Sequence, residues 1–465
     1  MSKLRIACIA FLVTATMLFF PTGAKAADVR VLLESSATDM TVTIMQGQYR
    51  LINEADGLSF TDLKAGDVVN VLLQENSLIV SVNGDRVGST PGPVTLKPQG
   101  ENAVFGLRAL QYREAFTIVR EGAALLGINT LDMEYYLYGV VGREIGYYSH
   151  PEANKAQAVA CRSYAYASIR PGQIYDVTAT TLSQVYSGYS EELKAAIAPI
   201  LEAVRATAGE VVFYTNPQTG VKSAVRTYYH SNAGGHTENP VNVWGGTTNP
   251  PLKGVPSPWD NMTIWQRAYT PQYIAERANS YGNTDIGRLM DIKLYRVDDN
   301  GLPTDSGRVF KIEIIGDKAT VTAYRDNIRV LLRDPQGNNL SSTLFDITKN
   351  VGLTILTIKD GEPFMEPVDN LNGLVAMGVN RMPQIINGGA STFWVNGADG
   401  LYELNNAGLI GDSILITGTG TGHGIGMSQL GARGMAAEGY TYKDILAYYY
   451  FSAGGPENYT IEKIQ

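Results

Sequence analysis

Residues 135–166 read YYLYGVVGREIGYYSHPEANKAQAVACRSYAY, the most informative stretch of the chain. One carboxylate, Glu144, lies in an apolar and aromatic run, and an Ala-rich segment follows it. Apolar surroundings raise the pKa of a carboxyl group and can keep it protonated near neutral pH. From the residues alone, Glu144 is either such a proton donor or a structural glutamate at a helix end, held in a salt bridge.

The Ala-rich segment predicts a helix with one closely packed face. Its mostly small residues recur at helical spacing: Ala156, Val159, Ala160, Ser163, Tyr164 and Ala167. Polar side chains on the same segment can donate hydrogen bonds to a sugar or to an acidic substituent: Lys155, Gln157 and Arg162. We therefore place these three residues at the candidate substrate site.

Flanking signals predict where the helices begin and end. Residues 130–138 favour a helix, and 149–152 match a capping box with proline in the first turn. A further helix is predicted over 191–207. Near the C-terminus, Ser428 is predicted to cap a helix that Gly439 ends.

Strand-like runs separated by turn signals occupy the beginning of the chain and return after the helices. Residues 413–417 predict a short buried strand. We predict an α+β fold: a signal peptide at 1–26, a β-rich N-terminal domain at 27–125, a mixed helix and strand catalytic domain with a central cleft at 126–265 and 410–465, and an inserted, β-rich mixed α/β region at 266–409. No role is predicted for residues 350–406.

The first 26 residues have the pattern of an export signal. Lys3 and Arg5 form a basic start, 6–20 are apolar, and an Ala-x-Ala pattern ends at Ala26. Cleavage after Ala26 is predicted, and an uncleaved anchor is the alternative. We expect a secreted or cell-wall protein outside the cytoplasm, with membrane contact only if the segment is retained.

Charge and cysteine content argue against a nucleic-acid-binding protein and against an intrachain disulfide. The signal carries three positive charges and no acids, so its removal changes the net charge from −8 to −11. Such an acidic chain is a poor candidate for nucleic acid. Because Cys8 leaves with the signal, Cys161 has no partner for an intrachain disulfide, and we expect it to be a small core residue.

Three further segments combine histidines, aromatic residues and glycines: YYHSNAGGH at 228–236, VWGG at 243–246 and GHGIGMSQLG at 422–431. The last one does not satisfy the GxGxxG spacing of nucleotide loops, and the chain has no GxSxG elbow. Its glycines permit unusual backbone angles, leaving His423 and Gln429 free to face a groove. His230 and His236 alone are a weak metal signal. Ser231 would point to the strand face opposite His230.

In their order along the chain, these segments resemble the SpoIID/LytB family of cell-wall proteins. The matching blocks are 131–166, 184–188, 229–238, 244–245 and 422–429, with weaker similarity at 307–309 and 342–345. One block would be a weak signal, whereas this many in order is a strong one.

The resemblance implies a lytic transglycosylase that acts on peptidoglycan glycan strands, with Glu144 as the catalytic glutamate. Arg162 falls on a family arginine that supports activity. Residues expected to bind substrate are Lys155, Gln157, Arg162, Tyr229, His230, Ser231, His423, Ser428 and Gln429. Some members carry a Cys/His zinc cluster near the block that is 176–183 in this chain, and Thr178, Leu182 and Ser183 cannot supply it. We therefore expect no metal and no cofactor.

A single carboxylate suits this reaction. Ordinary glycoside hydrolysis normally uses two carboxylates, whereas a lytic transglycosylase uses one, because the attacking hydroxyl belongs to the sugar itself. Two alternatives stay open. One is a non-catalytic peptidoglycan-binding protein that modifies a partner, an N-acetylmuramoyl-L-alanine amidase or another cell-wall hydrolase, which the acidic charge would suit if the partner is basic. The other is a metal-dependent hydrolase using His230, His236 and His423.

Overall fold

A computed structural model describes residues 27–246, 252–260, 263–349, 413–452 and 455–464, together with strand backbones between 353 and 405. The predicted signal peptide and much of 350–406 lie outside the described residues. Within the described part, no helix is long and apolar enough to cross a membrane.

The N-terminal part consists of antiparallel strands that alternate buried and exposed residues. In β2, for example, Met40, Val42 and Ile44 are buried while the residues between them are more exposed. The sheet orders are β13-β1-β12-β11-β8-β3-β4 and β10-β9-β2-β5-β6-β7. The strands are β1 Asp28–Ala37, β2 Asp39–Gln46, β3 Gln48–Asn53, β4 Ser59–Lys64, β5 Val68–Gln74, β6 Ser77–Val82, β7 Asp85–Thr90, β8 Val94–Pro98, β9 Val104–Leu107, β10 Leu110–Arg113, β11 Ala115–Glu121 and β12 Ala124–Asp132.

A helical layer follows, and α2 lies at its centre. The small residues of α2 let it pack against α1, α3, α7, α8 and β14. The helices of this layer are α1 Met133–Ile145, α2 Pro151–Tyr166, α3 Ala198–Ala206, α4 Pro240–Trp244, α7 Gln429–Ala437 and α8 Tyr442–Tyr450. Its strands are β13 Val177–Thr178, β14 Glu210–Thr215, β15 Lys222–Ala224, β16 Tyr229–His230, β29 Met427–Ser428 and β30 Tyr459–Lys463.

The N-terminal strands and the helical layer are joined by shared structure. β13 pairs in parallel with β1, and β12 runs across residue 125, the predicted domain boundary, directly into α1. One hydrophobic core contains Val29 and Phe116 from the sheets together with Leu137 and Val159 from the helices.

A second hydrophobic core lies between α4 and α7 in sequence. It is formed by residues such as Ile274, Ile312, Leu331 and Ile416. Its elements are β17 Ile264–Tyr269, α5 Pro271–Gly282, β18 Leu289–Tyr295, β19 Lys311–Gly316, β20 Thr320–Tyr324, α6 Asn327–Leu331, β21 Phe345–Lys349 and β28 Ile414–Thr419. Three two-stranded pairs connect β21 to β28: β22 Leu353–Lys359 with β23 Glu362–Val368, β24 Val375–Met377 with β25 Pro383–Ile385, and β26 Thr392–Gly397 with β27 Gly400–Asn405.

The predicted α+β class is confirmed, since helices and several sheets occur together. Two predicted helices have wrong bounds. Residues 130–132 belong to β12, and Asp132 caps α1 by accepting from the Glu134 N–H at 2.8 Å. The helix predicted over 191–207 is a 3-10 turn, Gly188–Glu191, followed by α3, because Pro199 suits the first turn of a new helix.

Helix caps were predicted with mixed success. The cap of α2 is His150 rather than Ser149, whose hydroxyl instead donates to the Ile145 carbonyl. The Ser428 cap is confirmed, since its hydroxyl accepts from the Gly431 N–H at 3.2 Å. Gly439 follows the end of α7 with a φ of +92°, as a terminating glycine should.

Candidate active site

Glu144 lies in the last turn of α1, which ends before Gly146 at a φ of +79°. Its side chain lines a cleft of about 260 Å³, which we call the acid cleft. The described lining residues are Glu144, Tyr164, Thr181, Leu182, Ser183, Tyr228, Tyr229, His230, Trp244, Gly422 and His423. Of these described lining residues, only Glu144 has a carboxylate side chain.

The carboxylate of Glu144 is held by two hydrogen bonds. Its Oε1 accepts from the Val185 N–H at 2.7 Å, and it also bonds the hydroxyl of Tyr229. Burial raises the pKa of Glu144, while these two bonds and the charge of Arg143 partly oppose the rise. Arg143 is exposed and lies beside Glu191, so no described cation pairs with Glu144 within 4 Å. The acid cleft therefore contains a carboxyl group that stays protonated to higher pH than usual.

The hydroxyl of Tyr229 is held by a buried polar network. It accepts from Gln184 Nε2 at 3.1 Å and contacts Cys161 Sγ at 3.6 Å. Gln184 is held in turn by the Tyr136 hydroxyl at 3.0 Å. Because the Tyr229 oxygen accepts from these donors, its own proton is directed to Glu144. Burial raises the pKa of the Cys161 thiol to about 12, so this cysteine is part of the core rather than a nucleophile.

His230 and His423 meet in the acid cleft because β16 pairs with β29, which places His230 beside Ser428. Their ring centroids are 5.5 Å apart. His230 Nδ1 donates to the Ile425 carbonyl at 3.1 Å, so its Nε2 is a bare acceptor, and no described group bonds it. His423 Nδ1 accepts from the Ile425 N–H at 3.0 Å.

Both histidines are neutral at ordinary pH. Burial and the nearby charge of Arg308 lower the pKa of His230 well below its usual value, and burial with Arg329 and Arg308 lowers that of His423 to about 3. His236 bonds the Thr237 carbonyl at 2.6 Å instead of lining the cleft. Among the described residues, no group of three His, Cys, Asp or Glu side chains could hold a metal ion.

Arg162 does not line the acid cleft, contrary to the sequence-based prediction. Its guanidinium is fully buried and bonds the Glu134 carboxylate at 2.6 and 2.8 Å and the carbonyls of Val204 and Glu210. The residue ties α1, α2, α3 and β14 together. Its role in this structure is to position the helix that carries Glu144.

Five other predicted substrate residues also lie outside the cleft lining. Lys155 pairs with Glu152 at 2.7 Å. Ser428 is buried and bonds Asp260, while Ser231 is exposed on the opposite side from His230. The remaining two, Gln157 and Gln429, are buried and lie 3.4 Å apart, with Gln157 also 3.2 Å from Cys161 Sγ. They support the network behind Tyr229 instead of facing the cleft.

The sequence prediction included Tyr229 but not the other aromatic residues of the cleft, Tyr164, Tyr228 and Trp244. Trp244 is 43% exposed, and its ring lies 4.7 Å from that of Tyr228 and 5.0 Å from that of His423. Tyr228 in turn contacts Tyr164 at 5.8 Å. Trp244 stands in the VWGG segment that the sequence singled out, and a half-exposed aromatic ring in a cleft is a suitable surface for a sugar ring.

Comparison with known proteins supports the sequence resemblance. Residues 121–214, which include Glu144, match the family model described as stage II sporulation protein, SpoIID. The chain is 26% identical over 336 residues to stage II sporulation protein D of Bacillus subtilis, covering 70% of this chain and 74% of that protein. These matches support the resemblance to the SpoIID/LytB family, through the model over residues 121–214 and through relatives at 26% identity.

Two further relatives extend the comparison. An uncharacterised protein of Brachyspira hyodysenteriae is 26% identical over 429 residues, which is 91% of each chain. An amidase enhancer of Bacillus subtilis is 25% identical over 329 residues, 68% of this chain but 39% of that protein. The similar proteins are thus named for sporulation and for the enhancement of an amidase.

Proposed function

We propose that the protein is an exported lytic transglycosylase that cleaves the bond between N-acetylmuramic acid and N-acetylglucosamine in peptidoglycan glycan strands. The observation that carries the proposal is Glu144, a single, partly buried carboxyl group with a raised pKa in a cleft lined by aromatic rings. The family resemblance supports the substrate class. The proposed location is outside the cytoplasm, at the cell wall.

Glu144 performs both proton transfers in the proposed reaction. Its protonated carboxyl donates to the glycosidic oxygen as the bond to the anomeric carbon breaks. The carboxylate then takes the proton of the 6-hydroxyl of the same muramic acid residue while that oxygen bonds the anomeric carbon. The products are a 1,6-anhydro sugar and a free 4-hydroxyl on the leaving sugar, and Glu144 is protonated again. No water enters, so a second carboxylate to activate water is unnecessary.

The other cleft residues position the groups that react. Tyr229 and the Val185 N–H fix the orientation of the Glu144 carboxyl. Trp244 offers its exposed face to a pyranose ring.

The test is a digest of purified glycan strands analysed by mass spectrometry. Wild-type protein should release products one water lighter than hydrolysis products, and Glu144→Gln should release none. Glu202→Gln, which changes an exposed acid on α3, is the matched control and should act as wild type. Ordinary reducing ends from the wild-type digest would refute the transglycosylase proposal.

A second candidate function is enhancement of a cell-wall amidase without catalysis, and the match to an amidase enhancer favours it. In that case the acid cleft would only bind glycan. Glu144→Gln would then stimulate an amidase as well as wild type does, and neither protein would change the glycan by itself.

A further inference from the structure

A second cavity, of about 400 Å³, adjoins the acid cleft. Arg170, Arg226, Ser168 and Asp176 are among its described lining residues, and we call it the arginine cavity. None of these residues was predicted to bind substrate. One of them, Arg226, lies near Tyr164, which lines the acid cleft.

Three chain segments contribute to both cavities. Residues 164–170 supply Tyr164 to the acid cleft and Arg170 to the arginine cavity. Segments 173–183 and 226–230 also line both: their first residues line the arginine cavity and their last residues line the acid cleft. The Arg226 guanidinium carbon lies 5.7 Å from the centre of the Tyr164 ring, at the junction. The two cavities are therefore lined by neighbouring residues of the same three segments, with Arg226 and Tyr164 between them.

The charge in the arginine cavity is not balanced. Asp176 is neutralised by Arg30, which bonds it at 2.6 and 3.0 Å. The Arg170 backbone N–H donates to Asp176 at 3.2 Å, but within the described part of the chain neither the Arg226 nor the Arg170 guanidinium has a carboxylate within 4 Å. This is notable in a chain with a net charge of −8, where acids to pair with them are plentiful. Glu121 also lines the cavity, but it is exposed and pairs with neither arginine.

We propose that Arg226 binds a carboxylate carried by the glycan strand, as the strand runs from Glu144 past Tyr164 into the arginine cavity. A planar guanidinium matches a carboxylate with two parallel hydrogen bonds. The inference rests on the proposed function for its ligand. Carboxylates occur both on the lactyl group of muramic acid and on stem peptides, and both present the same chemistry to Arg226.

The test measures binding by calorimetry with Glu144→Gln as host, so that no ligand is consumed. The ligands are a tetrasaccharide of alternating N-acetylglucosamine and N-acetylmuramic acid, its methyl ester, the same strand with stem peptides, and the N-acetylglucosamine tetramer. The host should bind the free acid about 10-fold more tightly than the ester. Adding Arg226→Ala should remove that preference and leave the ester and the neutral tetramer within about twofold.

Two variants control for indirect effects. Arg226→Lys keeps the charge but cannot form the two parallel hydrogen bonds of a guanidinium, and it should retain part of the preference for the free acid. Arg205→Ala removes an arginine that lies 5.7 Å from the Tyr138 ring, away from both cavities, and should bind like the host. Dependence on Arg226 with the bare strand identifies the lactyl carboxylate, and dependence only with the peptide-bearing strand identifies the stem peptide; both support the inference.

The inference would be overturned if the host binds the acid and the ester equally well and Arg226→Ala binds the peptide-bearing strand as tightly as the host does. An equal loss of affinity for all four ligands in Arg226→Ala would also overturn it. These outcomes are separate from the fate of the proposed reaction. If the protein prefers the free acid but never cleaves the strand, the carboxylate subsite is supported and the transglycosylase proposal is refuted. If it cleaves the strand without preferring the free acid, the transglycosylase proposal is supported and the carboxylate subsite is refuted.

Discussion

Replacing Arg162 with methionine distinguishes a residue that binds substrate from one that holds the fold together. The guanidinium makes four hydrogen bonds, two to Glu134 and two to backbone carbonyls, and is 0% exposed. Removing one partner of a buried ion pair costs about 3–5 kcal/mol, because the other charge is left uncompensated. The Glu134 side chain is 20% exposed and keeps the Gly209 N–H, so we expect the lower end, about 3 kcal/mol.

The assay is thermal unfolding combined with activity measured well below the melting temperature. A loss of about 3 kcal/mol corresponds to a decrease in Tm of about 3–5 °C for a chain of this length. Activity per folded molecule should stay within about twofold of wild type. Adding Glu134→Leu removes the stranded charge and should recover much of the lost stability. A variant that melts like wild type but has lost its activity would refute this reasoning and return Arg162 to the substrate site.

Three further predictions concern the acid, its hydroxyl partner and the inserted region. Tyr229→Phe should lower kcat about 10-fold with little change in KM. Because the hydrogen bond from Tyr229 favours the charged form of Glu144, its loss should raise the pKa of Glu144 and move the alkaline limb of the pH–rate profile to higher pH; an unmoved limb would contradict this. The Tm of Glu144→Gln should exceed that of wild type at pH 7–8 and equal it near pH 4. The folded wild-type protein binds the Glu144 proton more tightly than the unfolded chain does, so wild type loses stability as the pH rises above 4.5 and the Gln variant does not. Replacing residues 350–413 with an Asn-Gly turn should keep activity, since Lys349 and Ile414 are antiparallel partners; lost activity with unchanged melting would assign the excised segment a role in binding.

Sequence reasoning was accurate where local chemistry decides and failed where side-chain direction decides. The apolar run around Glu144 correctly indicated a partly buried carboxyl group with a raised pKa. Spacing on α2 could not show that Arg162 points toward Glu134 while Tyr164 points into the cleft, because this depends on how α2 packs against its neighbours. The pairing of His230 with His423 depends on two two-residue strands whose partners, such as His230 and Ser428, are 198 positions apart, which no local pattern reveals.

The electrostatics of the acid cleft depend on keeping cations away from Glu144. Burial raises the pKa of this carboxyl group, and a protonated histidine beside it would lower the pKa again. Arg308, buried behind Gly424, and the low polarity of the site both oppose protonation of His230 and His423. Arg308 acts on the histidines, whereas the charge that acts on Glu144 among the described residues is the exposed Arg143. A neutral pair of imidazoles next to the acid therefore allows hydrogen bonding to a sugar without weakening the proton donor, which a metal ion or a charged histidine at the same place would do.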